Sequence, residues 1–509
     1  LFAIFLALIF REVVISLVVG LLIGTLSIQV YAHGIIGIPL GFARAIDTYV
    51  LQSLNDSGHL SIIVFSMLIG SMVKLITLNG GMSAIVKRLS RKAQSPKSGQ
   101  FVTWLLGVLI FFDDYANTLI VGNTMRPVTD RLKISREKLS YLVDSTAAPI
   151  AALAFVTTWI GAELGYIADG VSKISEIDTG AYGIFLQSLP YSFYPILTLL
   201  FILMLIYTGK DYGPMLKAEI KARNSTSDTT ISEEESKVSS GKMYNAIIPV
   251  LIIVLGTIAG LIITGIQALD KDISDMGFWG KASVIIGGAD SYVALLWSSF
   301  ASVIVAVVLT VGQKIMSLHA SIEAVIEGCK TMLNAIVILV LAWSMAMITE
   351  HMHTADYLIQ MASDQVNPVF FPLVTFILSA VVAFSTGSSW GTMAILYPIL
   401  LPASWILAKH AGLDTPEILP LFFNTVSCVI AGSVLGDHCS PISDTTILSS
   451  MASSCNHIEH VRTQMPYALT VGIVAMLTGT LLSALGVPLY ICYLLGIIIL
   501  WLVVKRGQT

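Results

Sequence analysis

Residues 437–445 read Asp-His-Cys-Ser-Pro-Ile-Ser-Asp-Thr and lie within the apolar segment 418–450. A second polar stretch, residues 144–149, reads Asp-Ser-Thr-Ala-Ala-Pro and lies within the apolar segment 139–160. Each stretch contains a proline, which lacks a backbone N–H, so both segments are predicted to be interrupted helices. Irregular backbone survives at membrane depth only where it is buried in protein or lines a wet cavity. The two stretches therefore predict an internal polar site.

Each interrupted segment is preceded by a polar tip inside apolar sequence. Residues 113–118, Asp-Asp-Tyr-Ala-Asn-Thr, lie in segment 101–125. Residues 386–392, Thr-Gly-Ser-Ser-Trp-Gly-Thr, lie in segment 369–395. The same order of features thus occurs twice. Duplicated halves with broken helices at matching positions are typical of secondary transporters, whose binding site lies where the halves meet.

The composition predicts a membrane protein. Of 509 residues, 55% are hydrophobic and 12% are charged, with a mean hydropathy of +0.83, whereas a soluble domain carries about 25% charged residues. Apolar runs of about 20 residues, the length that crosses a bilayer core, recur along the chain. No basic patch with interleaved aromatic residues suggests nucleic acid, and the five cysteines lack metal-ligand spacing. The lipid bilayer is the expected partner, and no cofactor is predicted.

The distribution of lysine and arginine predicts the orientation, because short basic loops lie on the cytoplasmic side. The loops on both sides of segment 101–125 are basic, so this segment is expected to enter and leave from the cytoplasmic face as a re-entrant hairpin. Loop 161–189 is acidic, with Glu163 among its acids, and loop 396–417 holds a single lysine, so both are expected outside. Segment 369–395 is then a second hairpin, which enters from the opposite face.

The predicted fold is an all-α polytopic membrane protein with two re-entrant hairpins and two discontinuous helices. An odd number of crossings separates the equivalent spans 61–78 and 331–350, so the two halves are predicted to form an inverted repeat. The predicted divisions are N-terminal spans (1–60), a first repeat (61–209), a cytoplasmic hydrophilic linker (210–242), further spans (243–330), a second repeat (331–485) and a C-terminal span (486–509).

The polar residues at the tips and breaks form the candidate site. An ionised side chain at bilayer depth costs at least about 2.5–3.5 kcal/mol and is usually functional. A carboxylate among hydroxyl and carbonyl oxygens suits an alkali cation and can hold a proton instead, so the two ions compete. Asp144 or Asp437 is predicted to be the exchanging carboxylate. The candidate residues are the ionisable Asp113, Asp114, Asp144, Asp437, His438 and Asp444 and the neutral Ser145, Thr146, Ser388, Ser389, Ser440, Ser443 and Thr445.

Structural roles and other functional classes are alternatives for these residues. Asp114 or Asp444 can cap the N-terminus of a half-helix, and His438 can be a packing residue instead of a proton relay. A channel does not need a broken helix in each half. A hydrolase built from Ser440, His438 and an aspartate is disfavoured, because these groups crowd within four residues of one broken helix. The chain is therefore predicted not to be an enzyme.

The run from Leu435 to Leu448 resembles the signature of the NhaC family of sodium/proton antiporters, and residues 112–118 and 144–149 are similar to the family's first-half motif. The resemblance implies exchange of Na⁺ for H⁺ across the inner or plasma membrane. It implies a homodimer in which the spans outside the repeats form a scaffold and the hairpins belong to a mobile, elevator-like transport domain. It implies ion binding at Asn117, Thr118 and Thr392 beside the residues above, with Na⁺ at Asp144, Asp437, Asn117 and Ser388.

The tips depart from those of the superfamily's dicarboxylate carriers, which read Ser-Asn-Thr. Here residues 116–118 read Ala-Asn-Thr and residues 390–392 read Trp-Gly-Thr, and two acids precede the first tip only. Extra acids favour a cation and disfavour a dianion. A relative of the family resembles a malate/lactate exchanger, so Na⁺-coupled transport or exchange of a small organic anion or amino acid is the alternative. The C-terminus is predicted to be cytoplasmic.

Overall fold

The structure is a computed structural model that describes residues 6, 13–172, 174, 176–177, 179–224, 241–269, 281, 285, 289–352 and 367–508. Over these ranges the chain is helical, and the extended backbone that pairs there is one isolated bridge between Asp211 and Gln508. Ten helices in the described ranges are long and apolar enough to cross a membrane, or up to eleven if a bent pair is one span. The chain is therefore a multi-pass membrane protein, as its composition predicts.

The α-helices are numbered in chain order, and short 3-10 or π turns join several of them. In the first half they are α1 (Val13–His33), α2 (Gly37–Arg44), α3 (Leu51–Leu54), α4 (Ser57–Leu78), α5 (Gly81–Ser90), α6 (Pro96–Leu109), α7 (Asp114–Arg131), α8 (Arg136–Ala151), α9 (Ile160–Val171), α10 (Ala181–Ser188), α11 (Phe193–Thr208) and α12 (Gly213–Asn224). In the second half they are α13 (Tyr244–Gln267), α14 (Ser291–Gly312), α15 (Leu318–Thr331), α16 (Leu333–His351), α17 (Phe371–Thr386), α18 (Ser389–His410), α19 (Thr415–Cys439), α20 (Asp444–Ala452), α21 (His457–Val474), α22 (Leu482–Ala484) and α23 (Leu489–Arg506).

The same unit occurs in each half: two helices joined by a tight tip, followed by an interrupted helix. In the first half the tip is residues 110–113, between α6 and α7, and the interruption is residues 152–159, between α8 and α9. In the second half the tip is Gly387–Ser388, between α17 and α18, and the interruption is residues 440–443, between α19 and α20. α18 and α19 are buried along most of their length, so the second unit lies at the centre of the molecule.

Local sequence explains why the chain turns at the tips. Asp113 accepts a hydrogen bond from the Ala116 N–H and caps α7, and Ser388 accepts one from the Gly391 N–H and caps α18. Gly387 has a φ of 66°, a left-handed conformation that a side chain disfavours. These signals end one helix and start the next within a few residues.

The helix pairs differ in length from the predicted hairpins. α6 has 14 residues and spans about 21 Å, less than a bilayer core of about 30 Å. α18 has 22 residues and continues to His410, so the expected loop at 396–417 is largely helix. Its sequence is apolar to its end, and its single lysine lies in the last turn. Residues 368–386, which are α17 with the 3-10 turn before it, and α18 are each long and apolar enough to cross a membrane. The re-entrant character of the second pair remains a prediction.

Segment 161–189, which was expected to be a loop, is largely helical. This region contains α9 and α10, and Glu163 is fully buried within α9. Lys138, which was expected in a basic loop, is also buried, at 1% exposure. Tertiary contacts, which a local count of charges does not contain, bury both side chains.

Lys138 belongs to a buried polar cluster that connects α8 and α21 to the segment after α11. Its Nζ donates to Asp211 Oδ1, and the Tyr467 hydroxyl donates to the same oxygen at 2.6 Å. Backbone hydrogen bonds join Asp211 to Gln508 near the C-terminus. The cluster thus connects α8, α21 and the C-terminal segment. Residues 225–240 of the predicted linker 210–242 lie outside the described residues.

The basic loops provide a test of topology. Lys87 at the end of α5 and Lys133 after α7 are both exposed. If the α6–α7 unit enters and leaves from one face, single cysteines at these positions will react with a membrane-impermeant thiol reagent from the same side. The unmodified protein gives the background from the five native cysteines. Labelling of Lys87→Cys and Lys133→Cys from opposite sides would show that the unit crosses the membrane.

Candidate functional site

Each tip rests on the interruption of its own half. The Thr158 N–H in the first interruption donates to the Phe112 carbonyl of the first tip at 2.9 Å. In the second half, Gly387 lies so close to the second interruption that a Cβ there would be 2.5 Å from the Ile442 carbonyl oxygen. The tips and interruptions therefore form two packed units of irregular backbone.

Asp437 lies in the last turn of α19, beside the second tip. Its Oδ2 accepts a 2.9 Å hydrogen bond from the Ser389 hydroxyl, and the Ser443 hydroxyl lies beside the same carboxylate. Its Oδ1 is buried and has no hydrogen-bond partner among the described residues. A buried carboxylate oxygen without a donor is a site that a cation or a proton can satisfy.

Asp144 reaches the same region from α8. The sequence placed it at a helix break, whereas it lies about two turns before the end of α8. Its Oδ2 accepts hydrogen bonds from the Thr446 hydroxyl at 2.9 Å and the Gln464 amide at 2.6 Å. Its Oδ1 is buried without a partner among the described residues. Asp144 thus faces the interruption of the opposite half.

Thr446 links the carboxylate of Asp144 to the backbone of Asp437. Its hydroxyl lies 2.9 Å from Asp144 Oδ2 and 3.4 Å from the main-chain oxygen of Asp437. Among the described residues, His460 is the one basic side chain within 4 Å of either carboxylate, with its Nε2 3.9 Å from Asp144 Oδ2. The structure therefore brings one acid from each half into a shared site with little compensating positive charge.

The two acids of the first tip have different environments. Asp113 caps α7, the role that the sequence analysis offered as an alternative for Asp114. Asp114 lies against the Trp159 side chain and within electrostatic range of Asp437, and its Oδ2 has no hydrogen-bond partner in the described ranges. Asp114 is therefore a third buried acid of the shared site, and Asp113 is anchored to the tip.

Several residues that were predicted to offer oxygen ligands to a cation also form hydrogen bonds with the nearby backbone. The Asn117 amide donates to the carbonyls of Gly107 and Ile110 and closes the first tip, while its Oδ1 is buried without a partner in the described chain. The remaining hydroxyls with local roles donate to main-chain oxygens of their own helix: Thr118, Thr146 and Thr392. Each of these hydroxyl oxygens keeps lone pairs that a cation could use. Their hydrogen bonds within the helices, however, are enough to explain where they lie.

The other predicted residues lie around the second interruption or on α8, and one of them, Asp444, is exposed. Ser440 and Thr445 are buried, and Thr445 pairs with Ser443 at 3.1 Å. Ser145 is buried on α8 beside Asp144. Asp444 in the first turn of α20 is exposed, unlike the other acids, so it lies at the edge of the site.

His438 is held to the helix before the linker. Its Nδ1 is 2.8 Å from the Tyr194 hydroxyl of α11. Its main-chain oxygen accepts a hydrogen bond from the Gln464 amide. This arrangement matches the packing role offered as an alternative, and it positions the end of α19 next to Asp437.

Sequence reasoning missed three residues that complete the site and the burial of one further acid. Thr446, His460 and Gln464 surround Asp144, although Gln464 is 320 positions away in sequence. His460 and Gln464 lie in the polar start of α21, where no local pattern predicts that their side chains are buried. Glu163 is fully buried, and both its carboxylate oxygens lack hydrogen-bond partners in the described part of the chain. Its apolar neighbours, Ile160-Gly-Ala before it and Leu-Gly-Tyr-Ile after it, were the available signal for burial.

Comparison with known proteins identifies relatives of this chain. Residues 150–484 match the profile of the Na⁺/H⁺ antiporter family. A Haemophilus influenzae protein of unassigned function is 34% identical over 475 residues, which cover 92% of this chain and 87% of that protein. The malate-2H⁺/Na⁺-lactate antiporter of Bacillus subtilis is 26% identical over 161 residues, 32% of each chain.

A similar fold occurs among solved structures. The YdaH transporter of Alcanivorax borkumensis superposes with a TM-score of 0.58 at 16% sequence identity, covering 88% of this chain and 90% of that one. At this identity the likeness extends to the fold alone. It supports the helical architecture described above.

The contact between the second tip and the second interruption can be tested at Gly387. An alanine there must adopt φ of 66° and press on the Ile442 carbonyl, so Gly387→Ala should lower the melting temperature of the purified protein and impair transport. The matched control is Gly412→Ala, where φ is 81° and nothing lies within 4 Å, which isolates the backbone cost of about 1–2 kcal/mol. Equal losses in the two variants would show that the tip does not depend on this contact.

Proposed function

The chain belongs to the Na⁺/H⁺ antiporter family, and we propose that it exchanges Na⁺ for H⁺ across the cell membrane by alternating access. The observation that carries this proposal is the proximity of two buried acids, Asp144 and Asp437, one from each half. The Thr446 hydroxyl contacts the Asp144 carboxylate and the main-chain oxygen of Asp437. A site with two buried acids and one nearby imidazole has a deficit of positive charge. A transported cation supplies that charge.

Asp437 is the proposed sodium ligand. Its free Oδ1, the hydroxyls of Ser389 and Ser443 and the carbonyls released by the interruption offer hard oxygens, which suit an alkali cation. Asp144 also keeps one oxygen without a partner in the described chain, but two hydrogen bonds hold its Oδ2. The hydroxyls and the released carbonyls surround Asp437, so Asp437 is the favoured ligand and Asp144 adds negative charge beside the ion. This assignment narrows the expectation from sequence, in which Asn117 and Ser388 were also ligands.

Exchange follows from competition at Asp437. A carboxylate without a cation is destabilised by burial and takes up a proton, whereas a bound Na⁺ favours the ionised form. The two ions therefore occupy the site alternately. If the loaded site then opens to the other side of the membrane, each Na⁺ carried one way is exchanged for protons carried the other way.

We propose that the two halves are inverted and that the tips move with the interrupted helices. The matching order of elements and the contact of each tip with its own interruption support this proposal. We propose that the C-terminus is cytoplasmic, because Lys210 of the basic segment donates to the Lys505 carbonyl near the chain end. The family resemblance supports a homodimer in the inner or plasma membrane.

The second candidate function is Na⁺-coupled exchange of a small organic anion. The likeness to the Bacillus subtilis malate-2H⁺/Na⁺-lactate antiporter favours it. The acids of the shared site disfavour an anion bound directly between them. In this alternative Na⁺ binds at Asp437 as before, and the organic solute binds beside the ion.

Asp437→Asn should abolish Na⁺-dependent proton movement in proteoliposomes, because an amide carries neither the charge for Na⁺ nor an exchangeable proton. Dissipation of an imposed pH gradient on addition of Na⁺, followed with a pH-sensitive dye, measures the exchange. Asp414→Asn is the matched control: the same change on the same helix, at an exposed cap position. Wild-type exchange in Asp437→Asn would remove Asp437 from the mechanism, and exchange that requires added malate or lactate would favour the alternative.

A further inference from the structure

Two imidazoles and a serine connect the surface to the shared site. The hydroxyl oxygen of Ser450 on α20 lies 3.1 Å from His457 Nδ1 and 2.8 Å from His460 Nδ1. Ser450 and His460 are fully buried, at 1% and 0% exposure, whereas His457 in the first turn of α21 is half-buried. The three side chains therefore form one continuous hydrogen-bonded row.

The partners of each ring fix its hydrogens. His457 Nε2 lies 2.6 Å from the Pro441 carbonyl, which only accepts, so this nitrogen carries a hydrogen. The Gln464 amide nitrogen donates to Asp144 and to the His438 carbonyl. The Gln464 oxygen therefore faces His460 Nε2, at 3.0 Å. His460 Nε2 must then carry a hydrogen as well.

With both rings neutral, the row lacks one hydrogen. Each Nδ1 is then an acceptor, and both point at the Ser450 hydroxyl, which has a single hydrogen to donate. The Thr446 carbonyl, 2.7 Å from the same hydroxyl, is a third acceptor. One additional proton on either Nδ1 corrects the deficit: one ring donates to the Ser450 oxygen, and the Ser450 hydrogen goes to the other ring.

The half-buried end of the row lies on the face of the basic loops. Ser454, three residues before His457, accepts hydrogen bonds from Arg136 at its carbonyl and from Arg126 at its hydroxyl. Both arginines belong to the region that the positive-inside rule places in the cytoplasm. The row thus leads from that surface to Asp144.

We propose that His457, Ser450 and His460 form a proton relay that binds one proton from the basic-loop side of the protein and brings its charge next to Asp144. The proposal deepens the proposed Na⁺/H⁺ exchange and rests on it. On the basic-loop side of the transporter, imidazoles then bind a proton in addition to the carboxylates of the shared site.

The transfer balances without any other reactant. A proton from water binds His457 Nδ1 and makes an imidazolium. The new N–H bond breaks as the proton passes to the Ser450 oxygen, while the original Ser450 hydrogen leaves as a proton and forms an N–H bond at His460 Nδ1. His457 returns to neutral, Ser450 is again a hydroxyl, and His460 is the imidazolium.

The charge on His460 then acts on the shared site. His460 Nε2 is 3.9 Å from Asp144 Oδ2. The titratable groups that act on the His460 ring are Asp144 on α8 and His457 on α21. α20 contributes the uncharged Ser450 and the backbone of Thr446. One turn beyond Gln464, Tyr467 faces the separate Lys138–Asp211 pair. An imidazolium at 3.9 Å from Asp144 supplies the positive charge that Na⁺ otherwise supplies, so proton and sodium binding oppose each other.

The direct test is the number of protons released when Na⁺ binds. Purified protein in weakly buffered detergent solution is titrated with NaCl, and a pH indicator dye reports released protons between pH 6 and 7.5, where imidazoles exchange protons. By linkage, His460→Gln should release about one proton fewer per Na⁺ bound than the wild type. In proteoliposomes, its half-maximal Na⁺ concentration should depend less steeply on pH.

Three further variants make the result decisive. His457→Gln changes a half-buried residue and should reproduce the reduced proton release, so the test does not depend on the folding of His460→Gln. Ser450→Ala keeps both rings but breaks the bridge, and it should slow proton-limited exchange. His319→Gln, at an exposed histidine paired with Glu323 on α15, is the matched control and should behave as the wild type.

The outcomes separate the relay from the proposed function. If the wild type releases no protons on Na⁺ binding and shows no exchange, the Na⁺/H⁺ proposal fails. If the wild type exchanges, and His460→Gln and His457→Gln release as many protons as the wild type with the same pH profile, the relay is overturned while the exchange stands. Reduced release in both histidine variants, with wild-type release in His319→Gln, supports the relay.

Discussion

The burial of acidic side chains inside a membrane protein is the constraint on which the structure depends. Asp114, Asp144 and Asp437 are each at most 4% exposed, and a charged group at such depth is expensive unless donors, cations or protons compensate it. The donors come from the second interruption and the two helices after it: Ser443 lies in the interruption, Thr446 on α20 and Gln464 on α21. Oxygens still without a partner in the described chain, on Asp144 and Asp437, mark where compensation is incomplete. We propose that this incomplete compensation gives the site an affinity for a small cation.

The same contacts couple the two halves. Each tip is seated on its own interruption, while Asp144 of the first half is bound by Thr446 and Gln464 of the second. A change in charge at either acid therefore alters hydrogen bonds that join α8, α20 and α21. Na⁺ or a proton in the shared site can in this way change the relative stability of two arrangements of the helices, which alternating access requires. The buried Lys138–Asp211–Tyr467 cluster connects the start of α8 and the middle of α21 to the segment after α11.

Much of this arrangement could be predicted from local sequence. The tips have capping residues and a left-handed glycine, and Asp437 stands before a proline in a conspicuously polar run, so both follow from short-range rules. The burial of Lys138 and Glu163 does not follow from the sequence, because the number of charges in a stretch of sequence does not reveal its tertiary contacts. Gln464 and His460 were missed because their partner, Asp144, is more than 300 positions away, and no periodicity links them. The full length of α18 does not follow from the sequence. Its 22 residues include part of segment 396–417, whose single lysine is typical of an outside loop.

The most direct test of the account is the position of the cation. A structure determined in Na⁺, with Tl⁺ as an anomalous stand-in for the same site, should show one ion beside Asp437 Oδ1, between the second tip and the second interruption and within electrostatic range of Asp144. That density should disappear at acidic pH, when protons replace the ion. Density at another location in protein shown to bind Na⁺, or an ion that persists unchanged at acidic pH, would contradict the claim that the acids of the two halves form one exchange site.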